Sequence, residues 1–160
     1  MSFRRRPGQR GLSLMDIVLM QLLLVMVCAT PFVISWLNSM HVERSKGALI
    51  QASQHARALA LRYADPTNGD APTPSAPVAG IKLLPNAIVL VCRKDPSDSN
   101  CREGGSNVEW RADLSRGVGV AVTINQQNEV IFGFDHTGAL LAQADFRISK
   151  GMEYEAGQLY

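Results

Sequence analysis

The sequence has little of the material from which catalytic and metal-binding sites are built. Its 160 residues include three cysteines and three histidines, without a CxxC pair or two histidines at metal-ligand spacing. It also lacks a Gly-rich phosphate loop and a paired-carboxylate motif. These absences argue against a zinc site and against an enzyme that uses nucleotide or carboxylate chemistry. We therefore expect no enzymatic activity, no metal and no cofactor.

Acidic and basic residues are almost balanced. The formal charge is +2, but four of the 16 basic residues lie in the first ten positions, at Arg4, Arg5, Arg6 and Arg10. The other 12 basic residues face 14 acidic ones, so the rest of the chain has no general attraction to nucleic acid or anionic lipid. With about 20 residues in one apolar segment, the chain has room for a single compact domain.

The longest apolar segment runs from Ile17 to Leu37, and only Gln21, Thr30 and Ser35 interrupt it with polar groups. Its 21 residues can cross a bilayer as a helix, which takes roughly 20. Arginines precede this segment, and none follows within six residues. The positive-inside rule therefore predicts a cytoplasmic N-terminus and an exported remainder.

Other interpretations of this segment stay open. A secretory signal has a shorter apolar core of about 7–15 residues followed by a small-x-small site, and neither applies here. The match of Val25–Cys28 to a lipoprotein signal is poor because Val27 is large, so Cys28 is interpreted as a small apolar residue. A plain single-pass anchor remains an alternative. Pro31 removes a helix hydrogen bond and predicts a kink, although membrane helices also tolerate proline.

A carboxylate stands one residue before the apolar run, in the segment Arg10-Gly11-Leu12-Ser13-Leu14-Met15-Asp16. A charge at the edge of hydrocarbon is costly unless it is paired, and such residues are usually functional. A glycine shortly before such an acid resembles the class III leader of type IV prepilins and type II secretion pseudopilins.

This resemblance implies a processing and assembly signal. Residues 1–11 would be a leader that prepilin peptidase removes between Gly11 and Leu12, and Leu12 would then be N-methylated. Asp16 would be the acidic fifth residue of the mature chain, where the family usually has glutamate. Its expected role is to neutralise the N-terminal amine of a neighbouring subunit within the membrane.

A helical pattern continues after the apolar run. Apolar residues recur three and four positions apart, at Val42, Leu49, Ile50, Ala52, Ala56, Leu59, Ala60 and Tyr63. No turn signal intervenes, so we predict one helix from Leu12 to Ala64, with a transmembrane half (12–37) and a soluble half (38–64). In pilins such a helix is the spine. The segment from His55 to Ala60 resembles H-type minor pseudopilins and fimbrial T-type minor pilins, although His55 itself is interpreted as a surface residue.

Proline and glycine then predict a linker loop at 65–86, followed by an antiparallel β head at 87–160. Strands are expected at 87–92, 107–112, 118–125, 130–134 and 139–148, and 150–160 is interpreted as a tail. The expected fold is thus α+β and pilin-like, a long transmembrane spine helix packed on a small antiparallel β-sheet head.

Two cysteines, Cys92 and Cys101, flank a polar loop in this head. The order of strand, Cys92, loop, Cys101 and Trp110 resembles the H-type family and implies a disulfide, although two free thiols remain an alternative. Asp135 and His136 are adjacent at a strand end, so their side chains point apart. No motif ties a nucleophile to them.

A local basic patch is the one feature that suggests nucleic acid. This patch consists of Arg93, Lys94, Arg102, Arg111 and Arg116. It could form a salt-sensitive DNA site, with Arg93, Lys94 and Arg102 as the residues that would bind. The tail carries Glu153 and Glu155, unlike the basic tails of some relatives. We expect a solvated surface here rather than a nucleic-acid partner.

The resemblance implies a minor pilin or pseudopilin, a structural subunit of a type II secretion pseudopilus or a type IV pilus. The expected partners are prepilin peptidase, other pilins in a filament or tip complex, and lipid of the bacterial inner membrane. The expected topology is single-pass, with a cytoplasmic N-terminus and a periplasmic head. The alternatives are a bitopic periplasmic binding module and a DNA-binding minor pilin.

Overall fold

The computed structural model describes residues 13–63, 76–116 and 119–160. It begins with one α-helix, α1, at Leu14–Tyr63, which is 50 residues long. The predicted helix at 12–64 is confirmed over this range. The expected leader (1–11) and Leu12 lie outside the described residues, as do Ala64 and the first half of the predicted linker, residues 65–75.

The chain divides into two compact units, one ending at Trp36 and the other beginning at Leu37. In the first unit every described residue is solvent-exposed. This part of α1 is long and apolar enough to cross a membrane, by length and composition. It is exposed because no other part of its own unit covers it.

In the second unit, one face of α1 is buried. The buried positions are three or four residues apart, apart from one adjacent pair, and so follow a helical stripe: Val42, Ser45, Leu49, Ala52, Ser53, Ala56 and Ala60. Five of the seven are alanine or serine, and such small side chains let a helix approach its neighbours closely. Ile50 and Tyr63, which belong to the predicted apolar pattern, are instead 37% and 40% exposed.

In the described part of the chain seven strands follow α1, and all their pairings are antiparallel. Four of them, β1 (Ala79–Leu83), β2 (Ile88–Arg93), β3 (Val108–Asp113) and β5 (Val130–Phe134), form a sheet in the order β3-β2-β1-β5. The other three, β4 (Ala121–Ile124), β6 (Ala144–Lys150) and β7 (Glu153–Leu159), form a second sheet in the order β4-β6-β7.

The predicted linker at 65–86 was wrong in its last part, because β1 lies there. This strand is in the interior of its sheet, with β2 on one side and β5 on the other. The sequence analysis missed this strand because proline and glycine in the segment indicated a loop. Gly80 is required within the strand because a Cβ at this position would lie 2.4 Å from Pro96 Cγ and 2.8 Å from Phe132 O.

The interpretation of residues 150–160 as a tail was also wrong, because β7 pairs with β6 from Lys150↔Glu153 to Ala144↔Leu159. The preceding strand begins at Ala144 instead of 139, since Asp135 to Leu141 form a hydrogen-bonded turn. The strand predicted at 118–125 is shorter, at Ala121–Ile124, and Val118 is outside the described residues. The strand predicted at 130–134 is confirmed.

The main core joins the buried face of α1 to both sheets. Leu49, Ile81, Phe134 and Ile148 are each fully buried in this one cluster. A smaller cluster on the other face of β2 contains Leu90 together with both disulfide cysteines. Because β2 is covered on both faces, its sequence is a continuous apolar run without the usual alternation.

A buried hydroxyl also connects helix to head. Ser45 Oγ lies 2.6 Å from Leu114 O, a residue 69 positions away, and 2.9 Å from His41 O in its own helix. Ser45 is 3% exposed. A hydrogen bond in such a site has no competing water, so it favours one register of α1 against the loop after β3.

Two glycine substitutions test this packing in opposite directions. Gly80→Ala should lower the free energy of unfolding by about 1–3 kcal/mol, because the interior of a sheet cannot absorb the new methyl group. Gly47→Ala is the matched control. Gly47 is an exposed helix residue whose Cβ would meet nothing within 4 Å, so this change should raise the stability by about 0.5–1 kcal/mol. Urea denaturation of the detergent-solubilised chain measures both, and equal effects would contradict the position of β1.

Candidate functional site

Two side-chain hydrogen bonds, one to Ser13 and one to Asp16, cap the N-terminus of α1. The Met15 N–H donates to Ser13 Oγ at 3.3 Å, and the Ser13 N–H donates to Asp16 Oδ2 at 3.2 Å. This is a capping box with aspartate at the third helical position. The carboxylate also lies at the positive end of the helix dipole. The spacing Ser-x-x-Asp is a sequence signal for this cap, and the sequence analysis missed it.

Asp16 is exposed, and mostly apolar side chains lie beside it. It lines a shallow groove along one side of the helix together with Ile17, Met20, Gln21 and Leu24. The structure therefore presents one carboxylate at the start of a long apolar surface. The cleavage residues Gly11 and Leu12 are outside the described residues, so their geometry is not part of this site.

The helix continues through Pro31. Proline has no N–H to donate to the carbonyl four residues earlier, which is Val27 O. The Thr30 hydroxyl lies 3.1 Å from that oxygen and 2.8 Å from Met26 O. A threonine hydroxyl can satisfy a carbonyl freed by proline in a membrane helix. Thr30 thus compensates for Pro31, and the kink at Pro31 stays a prediction.

Cys92 and Cys101 form a disulfide, with their Cα atoms 5.8 Å apart. Both are fully buried. The bond closes a loop in which Asp95 accepts a hydrogen bond from the Ser97 N–H and Asp98 accepts one from the Asn100 N–H, each at 2.8 Å. The third cysteine, Cys28, is free and exposed.

The basic residues suggested as a DNA patch do not form a free positive surface. Arg93 makes an ion pair with Glu109 and donates a hydrogen bond to Ser106 O at 3.2 Å. The hydrogen bond to the Tyr63 hydroxyl, followed by the charge of Glu109, raises the pKa of Arg93 above its ordinary value. Lys94 and Arg102 are exposed. Arg93 and Lys94 are thus neighbours, but the charge of Arg93 is paired with that of Glu109.

Arg111, in the next strand, is likewise paired with Glu103 at 2.7 Å. Basic and acidic side chains therefore alternate on this face of the head. Such a surface neutralises few phosphates and is suited to solvent.

The Asp135 side chain accepts hydrogen bonds from within its own turn. Its Oδ1 accepts hydrogen bonds from the Thr137 hydroxyl at 2.6 Å, the Thr137 N–H at 2.8 Å and the Ala139 N–H at 2.9 Å. The bond from the Thr137 hydroxyl is the largest cause of a lowered Asp135 pKa, and the bond from Ala139 is the next. His136 Nδ1 is buried and has no hydrogen-bond partner among the described residues. This turn stabilises the head and has the geometry of a structural element.

His55, predicted to be a surface residue, is exposed on α1 and stacks on Trp110, with ring centroids 5.5 Å apart and planes 23° from parallel. Across residues 13–63, 76–116 and 119–160, no group of three or more His, Cys, Asp or Glu side chains could hold a metal ion.

Comparison of this chain with protein-family models, curated proteins and solved structures finds no match. The geometry described above is therefore the basis for any functional conclusion.

The disulfide should stabilise the head. Replacing both partners, in a Cys92→Ala/Cys101→Ala variant, should lower the free energy of unfolding by about 2–3 kcal/mol, as expected for a short closed loop. Cys28→Ala is the control and should leave the unfolding of the head unchanged. Thiol alkylation of the unreduced native chain should modify Cys28 alone. Labelling of three thiols per native chain would contradict the bond.

The Asp135 turn should make stability depend on pH in the acid range. Because the folded-state pKa of Asp135 is lowered, its contribution is present above the unfolded-state pKa and is lost as pH falls through the folded-state value. Asp135→Asn should therefore flatten the acid loss of stability, while Glu129→Gln, a change at an exposed carboxylate in the preceding loop, should not. Thermal unfolding between neutral and acid pH measures how steeply the melting temperature of each variant falls with pH. Parallel curves for Asp135→Asn and the native chain would count against the prediction.

Proposed function

We propose that this protein is a minor pilin or pseudopilin, a structural subunit of a type II secretion pseudopilus or a type IV pilus. The observation that carries the proposal is the first half of α1, an exposed apolar helix that begins at a single carboxylate. The second half of the same helix packs on an antiparallel head. A subunit that is stored in a membrane and then assembled through its helix needs both parts.

The exposed apolar side chains in the first half of α1 require another apolar surface to bury them. Its large apolar side chains from Leu14 to Leu37 are between 44% and 80% exposed. Soluble single chains rarely leave a continuous apolar surface of this extent open. Lipid would cover it before assembly, and the helices of neighbouring subunits would cover it in a filament. In the proposed topology the N-terminus is cytoplasmic and the head lies in the periplasm.

Asp16 is proposed to set the register of assembly. Cleavage behind Gly11 by prepilin peptidase would give Leu12 a free amine, which the same enzyme methylates. In a filament, Asp16 of one subunit would neutralise this amine on its neighbour. Each charge is costly alone in a medium of low dielectric constant, and the pair is tolerated.

The capping box supports this proposal and also offers a competing role for Asp16. The hydrogen bond from the Ser13 N–H holds the carboxylate at the N-terminal end of the helix, and in the proposed processing the new amine would lie one residue before Ser13. The same hydrogen bond to Ser13 would stabilise the helix in a subunit that never assembles. Charge and capping must therefore be separated by experiment.

Mass spectrometry of the N-terminal peptide from membrane-extracted protein tests the processing step. N-methyl-Leu12 as the first residue would support assembly as the function. An intact Met1 in cells that contain the peptidase would overturn it and favour a bitopic periplasmic binding module. The DNA-binding alternative gains no support, because Glu109 and Glu103 partner two of the arginines in the proposed patch.

A series of substitutions at Asp16 separates its charge from its capping. Asp16→Asn keeps a side-chain oxygen that can accept the Ser13 N–H, because the asparagine amide has a carbonyl oxygen, but it removes the charge. It should reduce the assembled fraction about tenfold or more, since it leaves the amine unpaired in the membrane. Asp16→Glu should assemble normally.

Immunoblots of sheared filaments against the membrane fraction measure the assembled share of each variant. N-terminal mass spectrometry should show complete cleavage in all of them. Normal assembly of Asp16→Asn, together with failure of Asp16→Ala, would assign Asp16 to capping and would overturn its proposed role in register.

A further inference from the structure

The turn between β6 and β7 carries the most exposed large apolar side chain among the described residues. Met152 is 96% exposed at its tip. Gly151, the other residue of the two-residue turn, has a φ of 62°, as such a tight hairpin requires at its first position. The glycine thus directs the chain back sharply and leaves the methionine at the end of the hairpin.

This turn lies against the start of the soluble half of α1. A Cβ placed on Gly151 would lie 3.1 Å from Asn38 Nδ2. Asn38 directly follows Leu37, the last residue of the apolar run. Along the helix axis, Asn38 is thus one residue, or about 1.5 Å, beyond the end of that run.

The rest of the hairpin extends away from this point along α1. Lys46 Nζ makes an ion pair with Glu155 Oε2 at 3.0 Å, and Arg57 lines a groove together with Tyr160. From Asn38 to Lys46 the helix rises about 12 Å, and from Gly151 to Glu155 a strand advances about 13 Å. The two distances are similar, which indicates that β7 runs lengthwise along the helix. The Gly151–Met152 turn is thus the end of β7 that meets the limit of the apolar run.

We propose that the Gly151–Met152 turn is a membrane contact, in which Met152 inserts among the lipid headgroups where α1 enters the bilayer. The neighbouring side chains in the hairpin are of types that occur at the membrane interface. Tyr154 is 60% exposed, and the Arg147 guanidinium lies over its ring at 4.7 Å. Tyrosine and arginine with apolar stems and polar ends are typical of the membrane interface.

The contact is apolar in its chemistry. Lys150 and Glu153 face each other across the turn, so the two flanking charges have opposite sign. The turn therefore needs no anionic lipid, and a neutral bilayer is a sufficient partner. The contact would hold the head against the membrane as a second attachment beside α1. This inference rests on the membrane-anchoring part of the proposed function and is independent of filament assembly.

Spin labels at three positions test the inference in the full chain, reconstituted in phosphatidylcholine vesicles. The native Cys28 lies near the middle of the apolar run and reports whether α1 crosses the bilayer. Met152→Cys, in a Cys28→Ala background, reports on the turn. Ala142→Cys, in the same background, is the matched control, because this exposed residue lies just before the opposite end of β6. Labelling without reductant preserves the disulfide.

Power-saturation spectroscopy compares collisions of each label with oxygen, which concentrates in lipid, and with a water-soluble nickel chelate. We expect Cys28 to be protected from the chelate, Met152→Cys to be severalfold less accessible to it than Ala142→Cys, and Ala142→Cys to be fully accessible. A protected Cys28 with equal accessibility at the other two positions would overturn the membrane contact alone. An accessible Cys28 would overturn the membrane anchor, and the contact with it.

Discussion

The contact between one face of α1 and the two sheets is the interaction on which the head depends. Leu49, Ala52, Ala56 and Ala60 are completely buried in it. Neither sheet could bury its apolar face alone, because each has only three or four strands and needs a second layer. Alanine at three of these positions keeps the helix close to the strands. The buried Ser45 hydroxyl then bonds to Leu114 O and favours one register.

The same helix faces a second constraint at its beginning. Its first half has no protein cover in its own unit, and its N-terminus carries a carboxylate that is held by the Ser13 N–H. The cap stabilises the carboxylate within the single chain. It therefore gives a physical reason why an acid can stand at this position without a partner chain. The proposed assembly would exchange a weak local interaction for a charge pair in a medium of lower dielectric constant.

Much of the helix could be predicted from sequence, because its signals are local. The apolar run from Ile17 to Leu37 and the spacing of three and four after it each lie within a few turns. The N-terminal cap was equally local and was missed only because Asp16 had been interpreted through its family resemblance. The disulfide implied by that resemblance is present. The basic patch was different, because the ion pairs of Arg93 with Glu109 and of Arg111 with Glu103 depend on how strands and loops meet.

Sequence by itself determined the long helix, its apolar half and the general antiparallel character of the head. The tertiary structure decided that β1 is an interior strand, that the last eleven residues include β7, and that the strands divide into two sheets. The physical reason is that a strand gains its stability from partners distant in the chain. Gly80 and Gly157 look like breaks in a sequence, and in the fold they make room for Pro96 and Phe146. The position of Met152 beside the end of the apolar run was likewise set by pairing and by the contact at Asn38, not by any local pattern.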